Sequence, residues 1–333
     1  MNYSAYQVVE TENGFEGSIT QLQKPELENG NVLIKVHYSS LNYKDALAAT
    51  GVKGVVKEYP FTPGIDSAGE VIESKSDLFS AGDMVVVTGY KMGMSVNGGF
   101  GEIINVPESW IVKIPSNLSL LEVMEIGTAG LTAAACVKKL IEANVNNNLP
   151  ILVSGATGGV GSVAVNILNK LNFEVHALTG KASEANVLTE MGAKEIIDRN
   201  AFMETGVRPL DKAIYAGGID TVGGDVLSKM LSMVNNGGAV SCCGNVAGAK
   251  FTSSVFPFIL RGVSLFGIDS AESDIELKKE LWGLLSSDWF VSLSKQSRIV
   301  KLMDIGPEIS KICLLYTSPS PRDMRRSRMP SSA

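Results

Sequence analysis

Apolar and polar residues alternate over short stretches in the first third of the chain. Val32, Ile34 and Val36 fall on one face of a predicted strand over 31–38. Four further strands are predicted over 69–73, 83–88, 102–106 and 110–114, and turns rich in glycine and proline separate them. Many short strands at such spacing are typical of a β-barrel or a β-sandwich.

The pattern changes near Ser119, where apolar residues begin to recur at helical spacing. Short apolar runs then alternate with amphipathic helices, which predicts a parallel, doubly wound sheet. Strands are predicted over 151–153, 173–178, 195–197, 218–222, 239–243 and 263–267, and helices over 160–171, 185–191 and 226–234. A helix over 277–284, a strand over 299–303 and a helix over 308–312 are predicted to follow.

A glycine-rich turn leads from the strand over 151–153 into the next helix. Residues 154–161 read Ser-Gly-Ala-Thr-Gly-Gly-Val-Gly, a G-x-x-G-G-x-G spacing. Glycines let the backbone approach a pyrophosphate, and the helix N-terminus then faces the anion. We interpret this turn as a dinucleotide site, and the alternative is a turn that packs the helix closely against the sheet.

The end of the second strand of this unit indicates which dinucleotide is bound. NAD enzymes usually carry an acidic residue there, which grips the ribose 2′-hydroxyl. Here Thr179, Gly180 and Lys181 follow the strand, and Arg199 follows the third strand. Because an ammonium attracts a 2′-phosphate, this pattern favours NADP(H) over NAD(H). The alternative is that Lys181 and Arg199 are ordinary surface charges.

Two later loops are expected to line the nicotinamide side, because ligands bind at the carboxyl ends of parallel strands. They are the loops that close the strands near 217–223 and 239–244. The adjacent Cys242 and Cys243 are interpreted as core residues, and a redox-active pair is the alternative.

Composition excludes several classes of protein. The 333 residues include 29 Lys+Arg and 35 Asp+Glu, for a net charge of −6, which argues against nucleic acid or an anionic membrane as the main partner. The chain shows no apolar run long enough for a membrane helix and no signal-peptide pattern, so we expect a cytoplasmic protein. With four cysteines, two histidines and neither a CxxC nor an HExxH motif, no metal site is expected.

Residues 314–333 read LLYTSPSPRDMRRSRMPSSA and show no periodicity. This string resembles the translation of a synthetic sequencing adapter, so we treat residues 313–333 as a non-native, disordered tail. The alternative is a native basic tail.

Six longer strings carry a family resemblance. They are residues 39–47 (SSLNYKDAL), 63–66 (PGID), 126–130 (IGTAG), 219–223 (IDTVG), 256–261 (FPFILR) and 267–270 (GIDS). With them, the chain resembles the zinc-free, quinone-oxidoreductase-like medium-chain dehydrogenase/reductases, and among these the acrylyl-CoA reductase branch of the AcuI/YhdH type. The resemblance implies a GroES-like β-barrel domain over 1–123 with 268–312, and a Rossmann domain over 124–267.

The resemblance also implies an NADPH-dependent, metal-free reduction of acrylyl-CoA to propionyl-CoA by a homodimer. It implies cofactor contacts at Tyr43, at Thr157, Gly158, Gly159 and Val160 on the turn, at Thr179, Gly180, Lys181 and Arg199 near the 2′-phosphate, and at Asn245, Ile259 and Ser270. Lys181 stands where arginine is common in this branch, and Asn245 stands where an apolar residue is usual. The family ends in a strand with a further cofactor contact, in place of which this chain has the tail.

The segment 42–45 is the candidate for the reacting end of the site. Tyr43 is expected to donate a hydrogen bond or to flank the nicotinamide ribose, and Asn42 and Asp45 to orient ribose or substrate. The alternative is a structural turn with Asn42 as a helix cap and Tyr43 in the core. His37 and His176 are interpreted as structural residues.

Two other functions stay open, because a fold does not fix a reaction. One is reduction of quinones or alkenals by NADPH. The other is NADP binding without turnover.

Overall fold

The computed structural model describes residues 2–317, apart from the side chains of Ala182 and residues 313–317. Within these residues the strands form three sheets. The first is an antiparallel pair, β1 (Asn2–Thr11) and β2 (Gly14–Gln23). The second has the order β6-β3-β4-β5-β7 and consists of β3 (Asn31–Tyr38), β4 (Asp66–Ser74), β5 (Met84–Thr88), β6 (Ile103–Pro107) and β7 (Ile111–Lys113). All neighbours in this five-stranded sheet are antiparallel.

Alternation along the strands fills the core of this N-terminal β-module. Val32 and Ile34 of β3 are fully buried and pack with Val85 and Val87 of β5 and with Val106 of β6. All five strands predicted in this region are present, with ends that differ by up to three residues. The pair β1–β2 was not predicted, and β2 is exposed along most of its length.

The third sheet is parallel and has the order β10-β9-β8-β11-β12-β13. Its strands are β8 (Ile151–Ser154), β9 (Val175–Thr179), β10 (Glu195–Asp198), β11 (Tyr215–Asp220), β12 (Val234–Cys242) and β13 (Ser264–Gly267). Counted from β8, this is the order 3-2-1-4-5-6 of a dinucleotide-binding sheet. The helices that connect or precede the strands are α2 (Leu120–Glu142), α3 (Gly159–Lys170), α4 (Ala185–Glu190), α5 (Arg199–Met203), α6 (Gly224–Ser232) and α7 (Phe256–Arg261).

Both faces of this sheet are covered, as the apolar strands predict. Ile151 and Val153 of β8 join one buried cluster with residues of α2 and α3. Leu152, which points to the other face, joins a second cluster with residues of α6. The predicted α/β architecture, a β-rich module followed by a doubly wound parallel sheet, is therefore present.

The long helix α2 begins at a capping box, in which Ser119 and Glu122 each bind the other's backbone N–H. It is interrupted at Gly127, whose φ of 51° and ψ of −160° are not helical. By length and composition α2 could cross a membrane, although the sequence pattern predicted no such run. However, 67% of its most apolar window is buried inside the protein, as in the core helix of a globular domain.

A return segment follows the parallel sheet. It contains α8 (Ile275–Leu285), a 3-10 turn (Leu302–Asp304) and α9 (Ile305–Thr317), which packs on α1 (Tyr43–Ala49) of the β-module. The strand predicted over 299–303 is wrong. Ile299 and Met303 are 64% and 71% exposed, so their alternation does not mark the buried face of a sheet.

The predicted domain boundaries stay predictions, and the one after residue 123 falls inside α2. The helix α9 continues to Thr317. The prediction of a disordered tail over 313–333 otherwise lies outside the described residues.

Candidate functional site

The predicted glycine turn lies between β8 and α3. Gly155 takes a positive φ of 58°, and Gly158 is the N-cap residue of α3. A Cβ at 161 would overlap the Gly155 carbonyl and lie 2.8 Å from Ala156 Cα, and a Cβ at 159 would lie 3.3 Å from Ala129 Cβ. The glycines therefore permit a close backbone turn in front of a helix N-terminus, which fits the pyrophosphate of a dinucleotide.

The next two strands bring the residues predicted for the 2′-phosphate to the same edge of the sheet. Thr179 ends β9, and its hydroxyl lies 3.1 Å from the Thr157 hydroxyl and accepts a hydrogen bond from Lys181 N. Arg199 begins α5, and its guanidinium lies so close to Gly180 that a Cβ there would be 3.1 Å from Arg199 Cζ. The ammonium of Lys181 is 3.3 Å from the carboxylate of Glu184.

Two adjoining cavities lie beside the start of α3 and the end of β3. One of about 470 Å³ is lined by Thr157, Gly159 and Glu184, and one of about 520 Å³ by Ser39, Ser40 and Leu41. Both are also lined by Glu125 and Ser297, whose side chains form a hydrogen bond with each other. The two cavities therefore adjoin at this pair, and Tyr43, Lys181 and Arg199 line neither of them.

A buried carboxylate that the sequence reasoning did not single out joins the two modules. Asp66, at the start of β4, is fully buried and accepts hydrogen bonds from three residues. Ser40 Oγ donates over 2.6 Å and Asn42 Nδ2 over 2.9 Å from the β-module, while Thr128 donates from α2 with both its backbone N–H and its hydroxyl.

This arrangement explains the interruption of α2. The chain after Gly127 begins a new helical segment, and Asp66 binds its first N–H as an N-cap residue would. A Cβ at 127 would lie 2.6 Å from Ser40 Oγ and 3.0 Å from Asp66 Oδ2. Glycine is therefore required both for the positive φ and for the close approach of the two modules.

The segment 42–45 forms the first turn of α1. Asn42 is its N-cap residue, and Asp45 accepts hydrogen bonds from the backbone N–H groups of Asn42, Gly64 and Ile65 over 2.7 to 3.0 Å. Asp45 is fully buried, so its carboxyl group holds the turn from the buried side. Tyr43 is 37% exposed, which does not fit the alternative of a place in the core, and its role at the site stays a prediction.

The charge of Asp45 is disfavoured at this position. Burial raises the pKa of its carboxyl to about 7, and the nearby Asp66 carboxylate acts in the same direction. The three backbone N–H groups favour the ionised form and oppose this rise, but desolvation outweighs them.

The Asp66 network extends to Ser270, one of the predicted cofactor contacts. The Thr128 carbonyl accepts a hydrogen bond from Thr132 Oγ1, which lies 2.5 Å from Ser270 Oγ. The predicted reacting turn and the loop after β13 are therefore joined through side chains on α2.

A second buried carboxylate, Asp220, ends β11 beneath the glycine turn. It accepts hydrogen bonds from Ser154 Oγ over 2.7 Å and from Gly223 N over 2.8 Å. Ser154 Oγ in turn accepts one from Thr221 N. Burial raises the pKa of the Asp220 carboxyl and also raises the pKa of the neighbouring Cys242 thiol to about 11. A thiol with so high a pKa is a poor nucleophile near neutral pH. Cys242 and Cys243 are partly buried, and each packs against the edge of an apolar cluster.

The remaining predicted contacts lie farther along the sheet. Asn245 is exposed after β12, next to Gly223, where a Cβ would lie 3.3 Å from Asn245 Cα. Ile259 is 68% exposed on α7, which packs on β12 and α6. The structure does not bring Ile259 into the network around Asp66 or into either cavity described above.

Asp66, Thr128 and Asp220 were not assigned site roles in the sequence, although each lies in one of the strings that carry the resemblance. The available signal was an aspartate that follows glycine and isoleucine, in residues 64–66 and again in residues 218–220. Among residues 2–317, no group of three His, Cys, Asp or Glu side chains is placed to hold a metal ion.

Comparisons with known proteins agree with this architecture. Residues 28–116 match the family model "Alcohol dehydrogenase GroES-like domain", and residues 159–287 match "Zinc-binding dehydrogenase". The described donor set nevertheless does not fit zinc.

Two relatives are similar over most of the chain. The "Probable acrylyl-CoA reductase AcuI" of Escherichia coli (strain K12) is 43% identical over 81% of this chain and 83% of its own. The "Putative quinone oxidoreductase YhfP" of Bacillus subtilis (strain 168) is 40% identical over 86% of this chain and 87% of its own. The crystal structure of the yhdH oxidoreductase from Salmonella enterica in complex with NADP superposes with a TM-score of 0.89 at 38% identity, over 95% of this chain and 96% of that chain.

Proposed function

The chain belongs to the medium-chain dehydrogenase/reductase family, and we propose that within it the chain is an NADPH-dependent oxidoreductase that reduces the C=C bond of an α,β-unsaturated acyl-CoA, with acrylyl-CoA as the substrate. The proposal follows the relative named as a probable acrylyl-CoA reductase and the related structure in complex with NADP.

The convergence of four sequence strings on one network carries the proposal. Residues 39–47, 63–66, 126–130 and 267–270 are far apart in the chain, yet Ser40, Asn42, Asp66, Thr128 and Ser270 are joined by hydrogen bonds or through Thr132. A network of this kind holds the proposed reacting turn at 42–45 in a fixed position relative to the loop that contains Ser270, as hydride transfer requires.

The cofactor-binding residues act through backbone and charge. The N–H groups at the start of α3, around Thr157, Gly158, Gly159 and Val160, would bind the pyrophosphate. Thr179, Gly180, Lys181 and Arg199 would bind the 2′-phosphate, and Asn245, Ile259 and Ser270 would contact the cofactor farther along the sheet.

When bound, NADPH supplies a hydride to the β-carbon of the substrate, and a proton must then reach the α-carbon. The thioester oxygen gains negative charge in this step and needs a hydrogen-bond donor. Tyr43 is the proposed donor, or else flanks the nicotinamide ribose, because its side chain is the exposed one in the turn. Asn42 and Asp45 hold that turn in place, Asn42 through Asp66 and Asp45 through three backbone N–H groups.

The test measures NADPH oxidation with acrylyl-CoA, crotonyl-CoA and a benzoquinone at equal concentrations. We expect acrylyl-CoA to give the highest kcat/KM. Tyr43→Phe is expected to lower kcat or NADPH affinity, since it removes one hydroxyl and little else. An unchanged Tyr43→Phe variant would remove Tyr43 from the proposal.

A second candidate is reduction of quinones or alkenals, which is favoured by the relative named as a putative quinone oxidoreductase. A quinone rate equal to or above the acyl-CoA rate in the same assay would establish this candidate. A chain that binds NADPH but oxidises it with none of these substrates would be a binding protein without turnover.

We further propose a homodimer formed along β13. Among the described strands, β13 pairs only with β12. The neighbouring α7 and the residue before it expose Val255, Phe256 and Leu260 at 61%, 44% and 60%. Such a patch next to an open sheet edge suits a second copy of the chain. Light scattering should give twice the chain mass for the wild type and a smaller mass for Leu260→Glu.

A reducing compartment is proposed as the location, because Cys136, Cys242 and Cys243 are free thiols. The division into 1–123 with 268–312 and 124–267 is likewise proposed, and limited proteolysis would test its boundaries.

A further inference from the structure

A lysine outside the cofactor and substrate residues is buried between the β-module and the return segment. Lys278, on α8, is fully buried, and its ammonium donates hydrogen bonds to the carbonyls of Thr88 over 2.6 Å and of Ala271 over 2.9 Å. The same ammonium lies 3.4 Å from the centre of the Tyr90 ring. Burying an ammonium is costly, and a methionine would fill the same space without that cost.

The partners of Lys278 lie on two segments that are far apart in the chain, the β-module and the return segment. Thr88 ends β5 and pairs in register with Asp66 of β4. Ala271 follows Ser270 in the loop between β13 and α8. The ammonium therefore ties the loop that carries a proposed cofactor contact to the strand next to the Asp66 network.

The backbone at this junction is closely packed. Tyr90 has a φ of 54°, unusual for a residue other than glycine, and its N–H and hydroxyl donate to the carbonyls of Ala271 and Ser273. A Cβ at Gly89 would lie 2.8 Å from Ala271 Cα. Strained backbone of this kind persists only where the surroundings hold it, and here Lys278 and the Ser270 loop do so.

We propose that Lys278 is a positioning residue of the reductase, which fixes the Ser270 loop against β5 and so sets the place of the cofactor's nicotinamide end relative to the Asn42–Tyr43 turn. This inference rests on the proposed function. It assigns Lys278 no contact with substrate, because its ammonium is satisfied by two carbonyls and an aromatic ring.

Burial and three nearby carboxylates determine when Lys278 is protonated. Burial lowers the pKa of its ammonium to about 8, while Asp66 on β4 and Glu272 and Asp269 on the loop oppose that shift. Asp274, the N-cap residue of α8, raises the pKa of the neighbouring Tyr90 phenol. Burial raises the pKa of Tyr90 to about 12, so the phenol stays neutral while the lysine loses its proton.

The experiment compares Lys278→Met with Lys279→Met. Lys279 is the next residue on α8, about half exposed and paired with Glu276 on the surface. NADPH dissociation constants are measured by fluorescence without substrate, and kcat and KM with acrylyl-CoA. We expect Lys278→Met to weaken NADPH binding roughly 10-fold and to lower kcat by about 10- to 100-fold, since small misplacements of reacting groups have effects of that size. Lys279→Met should stay within about 2-fold of wild type on both measures.

The pH dependence separates positioning from mere packing. In the wild type and in Lys279→Met, NADPH binding should weaken as pH rises from 7 to 9, because Lys278 loses its charge near pH 8. In Lys278→Met the binding should be weak and independent of pH over this range. A folded Lys278→Met with wild-type NADPH affinity and kcat would overturn the proposal. If that variant does not fold, a flat wild-type profile from pH 7 to 9 overturns it instead.

Failure of the proposed function has a different signature. A wild-type chain that binds NADPH but does not reduce acrylyl-CoA contradicts the substrate assignment, while the NADPH arm of the Lys278 comparison still gives its answer.

Discussion

Substitution of Gly161 by alanine tests whether the turn between β8 and α3 is a cofactor site or only a close packing of helix on sheet. Gly161 lies in the first turn of α3. By helix propensity alone, alanine would stabilise this position by about 1 kcal/mol. The added Cβ, however, would overlap the Gly155 carbonyl and lie 2.8 Å from Ala156 Cα. Both are backbone atoms, so the turn itself must shift.

Strain from such overpacking costs about 1–3 kcal/mol, so the net change in the free energy of unfolding is a loss of roughly 0–2 kcal/mol. The effect on NADPH should be larger. A displaced turn that loses one charge-assisted hydrogen bond to the pyrophosphate loses about 1.5–3 kcal/mol of binding free energy, which is roughly 10- to 100-fold in the dissociation constant.

The matched control is Gly283→Ala, a helical glycine on α8 with no atom within 4 Å of its added Cβ. It should stabilise the protein by up to about 1 kcal/mol and leave NADPH binding unchanged. The two variants are compared by fluorescence titration with NADPH and by thermal unfolding. A folded Gly161→Ala that binds NADPH as tightly as the wild type would refute the assignment of this turn to the pyrophosphate.

Three further changes test the network and the charges around it. Asp66→Ala leaves partly buried donors of Ser40, Asn42 and Thr128 without their acceptor and should lower the free energy of unfolding by roughly 2–4 kcal/mol. Asp66→Asn, which keeps one oxygen, should lose less than half of that, and equal melting temperatures of the two variants would contradict the network. Folding raises the pKa of Asp45 to about 7, so between pH 5 and pH 7 the folded protein holds a proton there that the unfolded chain releases. The free energy of unfolding should therefore fall from pH 5 to pH 7.5. Urea midpoints should show this fall in the wild type and not in Asp45→Asn. Glu184→Gln removes the ion pair of the exposed Lys181 ammonium and should tighten NADPH binding about 2- to 5-fold, while NADH binding stays unchanged. An equal gain for both nucleotides would argue against a 2′-phosphate site at Lys181.

Local patterns sufficed for most of the secondary structure. The strand β8, the glycine turn and α3 were predicted within a few residues, because strand, turn and helix signals there follow one another directly in the chain. The strand predicted over 299–303 failed for the opposite reason. Alternation marks a strand only if a neighbouring strand pairs with it and one face is buried, and Ile299 and Met303 are exposed.

In the candidate site, too, residues close together in the chain were predictable and contacts between distant residues were not. Thr157, Gly158, Thr179 and Lys181 lie on one turn and on the end of the next strand, so the sequence places them together. The carboxylate that joins the modules was not predictable in this way. Asp66 is 24 residues from Asn42 and 62 from Thr128, and no local pattern reveals that a β-strand carboxylate will bind the first N–H of an interrupted helix.

The sequence by itself therefore determined the order of the two modules, the glycine turn before α3 and the cations at the ends of the next two strands, because each depends on residues close together in the chain. The tertiary structure decided which polar residues are buried and what they bind. It buried Asp45 in the first turn of α1, Asp66 between the modules and Lys278 against the loop that contains Ser270. Burial changes the cost of a charge and so its role, and burial is a property of the folded packing and not of any one segment.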